Sequence, residues 1–339
     1  MPQKGQAHYV RVMHDLASIA RFTSHSFESP AALVSTLAEG QTVLVTGGTG
    51  FVGSRLVEAL LDAGHNAIVL SRKPGSAPVP GRAWTVGDLD AIPGDTRIDV
   101  IVNLAGEPIS TGLWTKAKRK RIIESRTQMI EACLKLSQRL VRRPQVFITA
   151  SAIGWYGIRG DELLDETSGG TACFSREVCE AVEQAAQRVE ASGLRTVMLR
   201  IGLVLDRAGG MLGRMLLPFR LGLGGPFGKG QHWMSWVHRD DLVRLIAHCA
   251  ANPDISGPVN GTAPQPVRNV DFTRSLGKAL RRPAAIPVPA LPLKLALGQF
   301  AEELLLGGQR VLPVKAQSSG FAFLYPELGG ALSAILSRH

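Results

Sequence analysis

The chain has 339 residues, enough for one large domain or two modest ones, and its 45% apolar but only 6% aromatic content favours an aliphatic α/β core. Its 38 basic and 28 acidic residues give a net charge of +10, which suits a phosphate-bearing ligand. Because the sequence holds no run of 18 apolar residues and no apolar signal core near its start, we expect neither a membrane span nor a secretory signal.

Residues 1–40 hold scattered charge, three histidines and one short helical pattern around Val10–Phe22. They carry no motif that points to a ligand. We therefore predict an N-terminal extension that is dispensable for folding and ligand binding, so that a chain starting at Gly40 still folds.

Strand and helix patterns alternate from residue 42 to about residue 204. Short β-branched or aliphatic runs predict five strands: Thr42–Thr46, Ala67–Leu70, Asp99–Asn103, Val146–Ala150 and Thr196–Arg200. Helical patterns lie between them, ending near Gly64 and covering about 114–136 and 174–192. This alternation predicts right-handed βαβ crossovers and a doubly wound parallel sheet, the Rossmann fold.

The pattern changes after Arg200. Residues 205–235 are rich in Gly and Met, and residues 256–298 are rich in Pro. We predict a Rossmann domain at 41–204, completed by 236–258. A smaller, partly interleaved C-terminal lobe at 205–235 and 259–339 would cover the carboxyl ends of the strands, where open α/β sheets bind ligands.

Several cations lie close together near residue 118: Lys116, Lys118, Arg119, Lys120 and Arg121. Apolar residues follow them at helical spacing. This pattern favours the solvated face of a helix over a nucleic-acid surface, because no aromatic residues interleave with the cations.

The four cysteines form no C-x-x-C pair: Cys133, Cys173, Cys179 and Cys249. We predict reduced structural thiols, a reducing compartment such as the cytoplasm, and no metal site. The expected partner is a small molecule, with no nucleic acid and no membrane, and self-association is left open.

The first predicted strand leads into a glycine-rich loop. Gly47, Gly50 and Gly53 form G-x-x-G-x-x-G between this strand and a helix. Glycines there permit a tight turn, close approach of a pyrophosphate and close packing of helix on strand. We predict that this loop binds a dinucleotide through Gly47, Thr49, Gly50, Phe51, Val52 and Gly53.

The end of the second strand indicates which dinucleotide. An acidic residue there would hold a ribose 2′-hydroxyl and repel a 2′-phosphate. The chain instead has Ser71, Arg72 and Lys73. A hydroxyl and two cations favour NADP(H) over NAD(H), with a merely solvated charged loop as the alternative.

Motifs spread along the chain resemble those of extended short-chain dehydrogenases/reductases of the nucleotide-sugar epimerase type. They are TGGTGFVG (Thr46–Gly53), GDL (Gly87–Leu89), NLAGEPI (Asn103–Ile109) and SAIGWYG (Ser151–Gly157). The chain more closely resembles an atypical subgroup of this family. Its members are called epimerase family proteins and are NADP-dependent oxidoreductases. That similarity is carried by LWT (Leu113–Thr115), ESR (Glu124–Arg126), GKGQHWMSWVH (Gly228–His238) and GGQRVLP (Gly307–Pro313).

The resemblance covers residues 41 to about 337 and implies positions for several side chains. It implies that Asp88 and Leu89 lie by the adenine and that Ala105 and Gly106 line the cofactor. It implies that Ser151 lies beside the nicotinamide, and it says little about the substrate.

The chain lacks the Tyr-x-x-x-Lys pair that such enzymes use for proton transfer. Its tyrosines are Tyr9, Tyr156 and Tyr325, and the residues four places later are Met13, Gly160 and Gly329. On the expected helix the corresponding residues are Phe174 and Val178, which cannot ionise. The usual carbonyl-reduction machinery is therefore excluded.

Four other residues could supply acid–base chemistry: Ser151, Tyr156, Glu107 and His232. For Tyr156 a packing role with a bonded hydroxyl is equally favoured, and Glu107 could simply cap a helix. His238 is expected to cap the helix after it rather than to touch substrate. Three tryptophans could wall a pocket or pack in the core: Trp114, Trp233 and Trp236.

Two functions remain open on the sequence. The first is an NADP(H)-dependent oxidoreductase or epimerase-like enzyme with non-standard acid–base groups. The second is a non-catalytic NADP(H)-binding sensor or assembly protein. The missing pair favours the second, whereas the polar and aromatic mixture of the C-terminal lobe favours the first.

Overall fold

The computed structural model describes residues 29–72 and 83–337, and a parallel sheet of seven strands forms its centre. The strands are β1 (Thr42–Thr46), β2 (Asn66–Leu70), β3 (Ala83–Val86), β4 (Val100–Asn103), β5 (Val146–Ala152), β6 (Thr196–Ile201) and β7 (Gly257–Gly261). Their order across the sheet is β7-β6-β5-β4-β1-β2-β3, and every pairing is parallel. The order reverses between β1 and β4, which makes the doubly wound fold that the sequence predicts.

Helices cover both faces of the sheet and build the lobe. They are α1 (Phe51–Asp62), α2 (Lys116–Arg139), α3 (Phe174–Ala191), α4 (Gly210–Arg220), α5 (Arg239–Ala251), α6 (Asn269–Leu280), α7 (Ala290–Leu297), α8 (Gln299–Leu304), α9 (Val314–Ser318) and α10 (Leu328–Ser337). None of the helices in the described ranges is long and apolar enough to cross a membrane.

The strands are apolar on both sides because helices bury both faces of the sheet. In β1, Val43 and Val45 belong to the core cluster shared with α1 and α5. Leu44, between them, belongs to the cluster shared with α2 and α3. The continuous aliphatic runs read in the sequence are the consequence of this double coverage.

The C-terminal lobe has its own apolar core around Trp236 and Phe272, to which α4, α6 and α10 contribute. The chain between α7 and α10 returns to the sheet domain. There α8 packs by Phe300 against Trp114, with ring centroids 5.6 Å apart. The residues of α9 and beyond add Ala316 and Phe321 to the sheet core. Residues 300–337 therefore contact both parts of the molecule.

The five predicted strands are present, and β5 extends two residues further than predicted, which places Ser151 within the strand. The edge strand β3 and the outer strand β7 were not predicted. Their four and five residues carry little alternation, so they gave no sequence signal. The predicted helix at Val10–Phe22 lies outside the described residues.

Part of the segment predicted as an N-terminal extension packs on the sheet domain. Pro30–Val34 forms a short 3-10 helix that buries Leu33 and Val34 in the core cluster of α1 and α5. Leu33 is 2% exposed and Val34 fully buried. These residues are part of the domain because their side chains complete its apolar core.

Candidate functional site

The glycine loop joins β1 to α1, and two of its glycines are sterically required. Gly47 has φ of +71°, and a Cβ there would lie 2.8 Å from the carbonyl carbon of Leu104. A Cβ on Gly53 would lie 2.2 Å from the Gly47 carbonyl oxygen. Side chains at either position would therefore force the loop apart.

Helix α1 begins after Gly50 without a side-chain cap and without an acidic residue in its first turn. Its first N–H groups and the positive end of its dipole therefore remain available to an anion. Thr49 and Gly50 are exposed, whereas Phe51 and Val52 are half-buried. This arrangement fits the pyrophosphate of a dinucleotide.

The residues predicted for the adenosine end follow β2 and β3. The Ser71 N–H donates to Val86 at 2.9 Å, and Ser71 is buried, whereas Arg72 is exposed. Arg72 lies near enough to Glu107 to help lower the pKa of that carboxyl. Asp88 is exposed and accepts the Asp90 N–H at 3.0 Å. Lys73 lies outside the described residues.

Leu89, which the resemblance places by the adenine, follows Asp88 and has a buried side chain. Its side chain is 3% exposed and belongs to the core cluster of α2 and α3.

A cavity of about 380 Å³ opens at the carboxyl ends of β4, β5 and β6. On the sheet side it is lined by residues 104–106, 150–154 and 201–203, which include Ala105, Gly106 and Ser151. On the lobe side it is lined by residues 232–235 and 307–309. Its volume is within the usual range of small-molecule sites.

Ser151 lines this cavity and is held by a buried ion pair. Its Oγ donates to Glu183 Oε1 at 2.8 Å. The Glu183 carboxylate also accepts two hydrogen bonds of 2.9 Å from Arg200. The side chains of Glu183 and Arg200 are 4% and 3% exposed, so the pair is shielded from solvent. Because the Ser151 O–H donates to Glu183, the oxygen lone pairs can accept a hydrogen bond from a group in the cavity.

Tyr156 does not reach the cavity. Its ring is fully buried, its hydroxyl donates to Asn260 Oδ1 at 2.7 Å, and the hydroxyl accepts from Arg200 at 3.1 Å. Burial raises the pKa of Tyr156 to about 12. Of the two roles the sequence allowed, the geometry supports the packing role with a bonded hydroxyl.

The Glu107 carboxylate forms an ion pair with a neighbouring lysine. Its Oε1 lies 2.6 Å from Lys118 Nζ, and this hydrogen bond lowers the pKa of the Glu107 carboxyl. The carboxylate is outside the lining of the cavity. Lys118 belongs to the basic run, in which Lys116, Lys120 and Arg121 are exposed along α2.

His232 lines the lobe side of the cavity, and burial lowers its pKa to about 4. Its imidazole is therefore neutral near pH 7 and has one donor and one acceptor nitrogen. His238 caps α5, as the sequence predicts: its Nδ1 accepts the Asp240 N–H at 3.0 Å.

The three tryptophans separate into one wall residue and two core residues. Trp233 lines the cavity and lies between two guanidinium groups, with Arg268 Cζ 4.1 Å and Arg310 Cζ 4.4 Å from its ring. Trp114 packs on Phe174, and Trp236 is fully buried in the lobe core.

Sequence reasoning missed Glu183, Arg200, Arg126 and Glu303. Glu183 and Arg200 did leave a signal, because each is a charged residue within an otherwise apolar buried run: the inner face of α3 and the strand β6. Arg126 lies in the quoted ESR motif and is one of the residues that line the cavity. Glu303 gave no signal, since its partners Phe174 and Ser175 are more than 120 residues away in sequence.

Comparison with known proteins gives the family. The family model described as "NAD dependent epimerase/dehydratase family" matches residues 43–260, and "Domain of unknown function (DUF1731)" matches residues 288–335. The human "Epimerase family protein SDR39U1" is 38% identical over 299 residues, covering 87% of this chain and 99% of that protein. The Arabidopsis thaliana "Epimerase family protein SDR39U1 homolog, chloroplastic" is 38% identical over 340 residues, covering 94% and 95%.

Solved structures agree with these relatives. A crystal structure of the human protein, isoform 2, "with NADPH" superposes with a TM-score of 0.81 at 34% identity, covering 88% of this chain and all of that one. A UDP-glucuronic acid 4-epimerase from Bacillus cereus, with NAD, superposes with a TM-score of 0.67 at 17% identity, which shows the shared fold.

Proposed function

The chain belongs to the NAD-dependent epimerase/dehydratase family, as an atypical extended short-chain dehydrogenase/reductase, and on that premise we propose that it is an NADP(H)-dependent oxidoreductase without a Tyr-x-x-x-Lys pair. One observation carries the proposal. Ser151 lines the cavity at the carboxyl edge of the sheet, and its hydroxyl is hydrogen-bonded to a buried Glu183–Arg200 pair. This group replaces the missing pair as the route for a proton.

The cofactor proposed is NADP(H). The glycine loop and the uncapped start of α1 fit a pyrophosphate, and the exposed Arg72 after β2 suits a 2′-phosphate. The human relative, which shares 34% identity in the structural comparison, was crystallised with NADPH. Ala105 and Gly106 would lie against the bound cofactor, with its nicotinamide half next to Ser151.

The nicotinamide ring, when bound, supplies or accepts the hydride. The chain must then move the matching proton. A substrate hydroxyl on Ser151 would give its proton to the Ser151 Oγ, while the Ser151 proton passes to Glu183 Oε1. Reduction is the reverse transfer: Glu183 would first have to take up a proton, which then passes through the Ser151 hydroxyl to the carbonyl oxygen.

His232 faces the same cavity from the lobe. As a neutral imidazole it can donate one hydrogen bond and accept another, which suits the orientation of a polar substrate group. We assign it to substrate positioning, with Ser151 as the group at the reacting oxygen.

The test begins with titration of NADPH and NADH, followed by a reductase screen with NADPH against quinones, aldehydes and nucleotide sugars. Tight NADPH binding together with turnover supports the proposal. NADPH binding without turnover against any of these classes would favour the non-catalytic alternative.

That alternative is a sensor or assembly protein that binds NADP(H). It is favoured by the burial of the two residues at the usual tyrosine and lysine positions: Phe174 and Val178 are 2% and 5% exposed and pack with Trp114. A pocket in which packed side chains occupy the place of the nicotinamide would support this second function.

The cellular location proposed is a reducing compartment. Cys133, Cys179 and Cys249 are buried free thiols, and burial raises the pKa of each to about 12. The Arabidopsis relative is described as chloroplastic, so we do not restrict the proposal to the cytoplasm.

A further inference from the structure

Six large aliphatic side chains are exposed on the C-terminal lobe, each by at least 52%. They come from two stretches of the chain: the end of α4 with the loop after it, and the segment that leads into α7 together with α7 itself. The six residues, which we call the lobe patch, are Leu217, Leu221, Leu223, Ile286, Leu291 and Leu295.

The two stretches lie side by side. The Ile286 N–H donates to the Gly224 carbonyl at 3.2 Å, and the Val288 N–H donates to the Pro226 carbonyl at 2.9 Å. The Gly228 N–H in turn donates to the Val288 carbonyl at 2.8 Å. The lobe patch is therefore one surface built from two hydrogen-bonded segments.

Helix α7 is apolar around its circumference apart from Lys294, yet none of its residues is buried. Helices of this composition are normally covered by protein or by lipid. Leu291 and Leu295, one turn apart, are 67% and 80% exposed. A contiguous exposed apolar surface of this kind marks a site of interaction.

The same part of the lobe carries almost all of the net charge of the chain. Residues 207–230 hold four arginines and lysines, residues 272–301 hold five, and neither range holds an Asp or Glu. Taking these nine from the 38 basic residues leaves 29, against 28 acidic residues. The two ranges therefore supply nine of the ten net positive charges, and the lobe patch lies within them.

Three of these cations are exposed and form no ion pair within the described residues: Arg220, Arg281 and Arg282. Arg281 follows α6 with φ of +53°, and it is the one residue other than glycine with a positive φ in the described part of the chain. Glycine is the residue that this conformation favours. The chain therefore holds a cation here at a cost in stability.

Charge and side-chain type together select the partner. A second copy of the chain, docked by the same face, would bring like charges together. Nucleic acid would supply negative charge, but its bases stack on aromatic rings, and all six residues of the lobe patch are aliphatic. An anionic bilayer offers negative head groups to the cations and acyl chains to the aliphatic side chains.

We propose that the lobe patch is a peripheral docking surface for anionic membranes, with the leucines of α7 among the acyl chains and the exposed arginines against lipid phosphates. The expectation of no membrane partner rested on the lack of a spanning segment, and surface binding requires none. Phe227, which lies between Pro226 and Gly228 in the first stretch, lines the cavity. The docked face therefore adjoins the cavity.

The experiment measures co-sedimentation of the full chain with two kinds of vesicle: phosphatidylcholine alone, and equal parts phosphatidylcholine and phosphatidylglycerol. The chain should bind the mixed vesicles about tenfold or more tighter, because each nearby cation gains from the negative surface. Leu291→Ser combined with Leu295→Ser should weaken that binding about tenfold or more, since fewer apolar groups enter the bilayer. Val141→Ser combined with Arg142→Gln is the matched control. It changes an exposed valine and an exposed arginine before β5, outside the lobe patch, and should leave binding unchanged.

Arg281→Gly isolates the contribution of charge. The substitution removes one cation and should weaken binding to the mixed vesicles about fivefold. Because glycine adopts a positive φ without steric cost, the variant should unfold at the same temperature as the natural protein or at a higher one. Its weaker binding would therefore not result from a damaged fold.

Three results would overturn the inference: no binding to the mixed vesicles, equal binding to both kinds of vesicle, or full binding in both the α7 variant and Arg281→Gly. Self-association in the absence of vesicles that the α7 substitutions abolish would assign the lobe patch to a second copy of the chain instead. Co-sedimentation needs neither cofactor nor turnover, so its result is independent of the proposed function.

Discussion

The Ser151 hydroxyl donates to the Glu183 carboxylate at 2.8 Å. This hydrogen bond links a residue of the cavity wall to a carboxylate that is buried in the protein interior. Ser151 lies on β5 and Glu183 on α3, 32 residues apart in sequence. Arg200, on β6, completes the arrangement from the adjacent strand. Three elements of the sheet domain therefore hold one hydroxyl in a fixed orientation.

Ser151→Ala should lower the rate of hydride transfer by about 10²–10⁴-fold, because it removes the group that exchanges the proton. NADPH affinity should stay unchanged. Tyr156→Phe is the matched control, since it removes one hydroxyl that accepts a hydrogen bond from Arg200, the other member of the buried pair, outside the cavity. Steady-state rates and NADPH titrations of both variants test this, and equal rate losses would remove Ser151 from the mechanism.

Glu183→Gln should destabilise the fold by about 3–5 kcal/mol, because it leaves the Arg200 charge buried without a partner. Glu180→Gln, on the same helix, breaks an ion pair whose carboxylate side chain is 39% exposed, and should cost about 0–1 kcal/mol. Urea unfolding of the two variants gives the comparison. Similar losses in both would mean that burial of the Glu183 pair contributes little.

Arg72→Ala should weaken NADPH binding by about ten- to a hundredfold and leave NADH binding nearly unchanged, because the arginine pairs with the 2′-phosphate. Arg142→Ala is the control, because it removes an exposed cation that precedes β5. Arg142 therefore lies at the amino ends of the strands, whereas Arg72 follows the carboxyl end of β2. Calorimetric titration of both dinucleotides measures the effect. A parallel loss of NADPH and NADH affinity would contradict the 2′-phosphate assignment.

Protein stability should fall between about pH 6.5 and pH 4 in part because of His232, whose pKa burial lowers from 6.5 to about 4. Over that interval the unfolded chain binds a proton that the folded protein does not. The His232 contribution is thus complete above pH 6.5 and is lost as the pH falls through 4.

His232→Gln should therefore lose less stability than the natural protein over that interval, while the two curves run parallel from about pH 7 to pH 8, where the ring is neutral in both states. Chemical unfolding at a series of pH values tests this. Parallel curves down to pH 4 would show that the ring remains hydrated in the folded protein.

A chain that starts at Gly40 should be less stable than one that starts at Ser29, because it lacks the buried Leu33 and Val34. Truncating one buried leucine to alanine typically costs about 2–5 kcal/mol, and the shorter chain loses a valine as well. The two chains can be compared by urea unfolding. Equal midpoints would support the expectation from the sequence that residues 1–40 are dispensable.

Local sequence determined the sheet domain and its glycine loop. A buried parallel strand needs only a short aliphatic run, and a tight phosphate loop needs glycine where a Cβ would collide with backbone, as at Gly47 and Gly53. The absence of a Tyr-x-x-x-Lys pair was also readable directly, since three tyrosines allow a complete check.

The tertiary structure alone decided which polar groups face the cavity. Tyr156 lies just after the strand that holds Ser151, yet it does not line the cavity. Its hydroxyl donates instead to Asn260, which lies 104 residues further along the chain. Ser151 lines the cavity, and its hydroxyl is bonded to Glu183 of α3, whose carboxylate is paired with Arg200 of β6. Periodicity fixes which face of its own element a residue occupies, but the partner opposite that face depends on how distant elements pack.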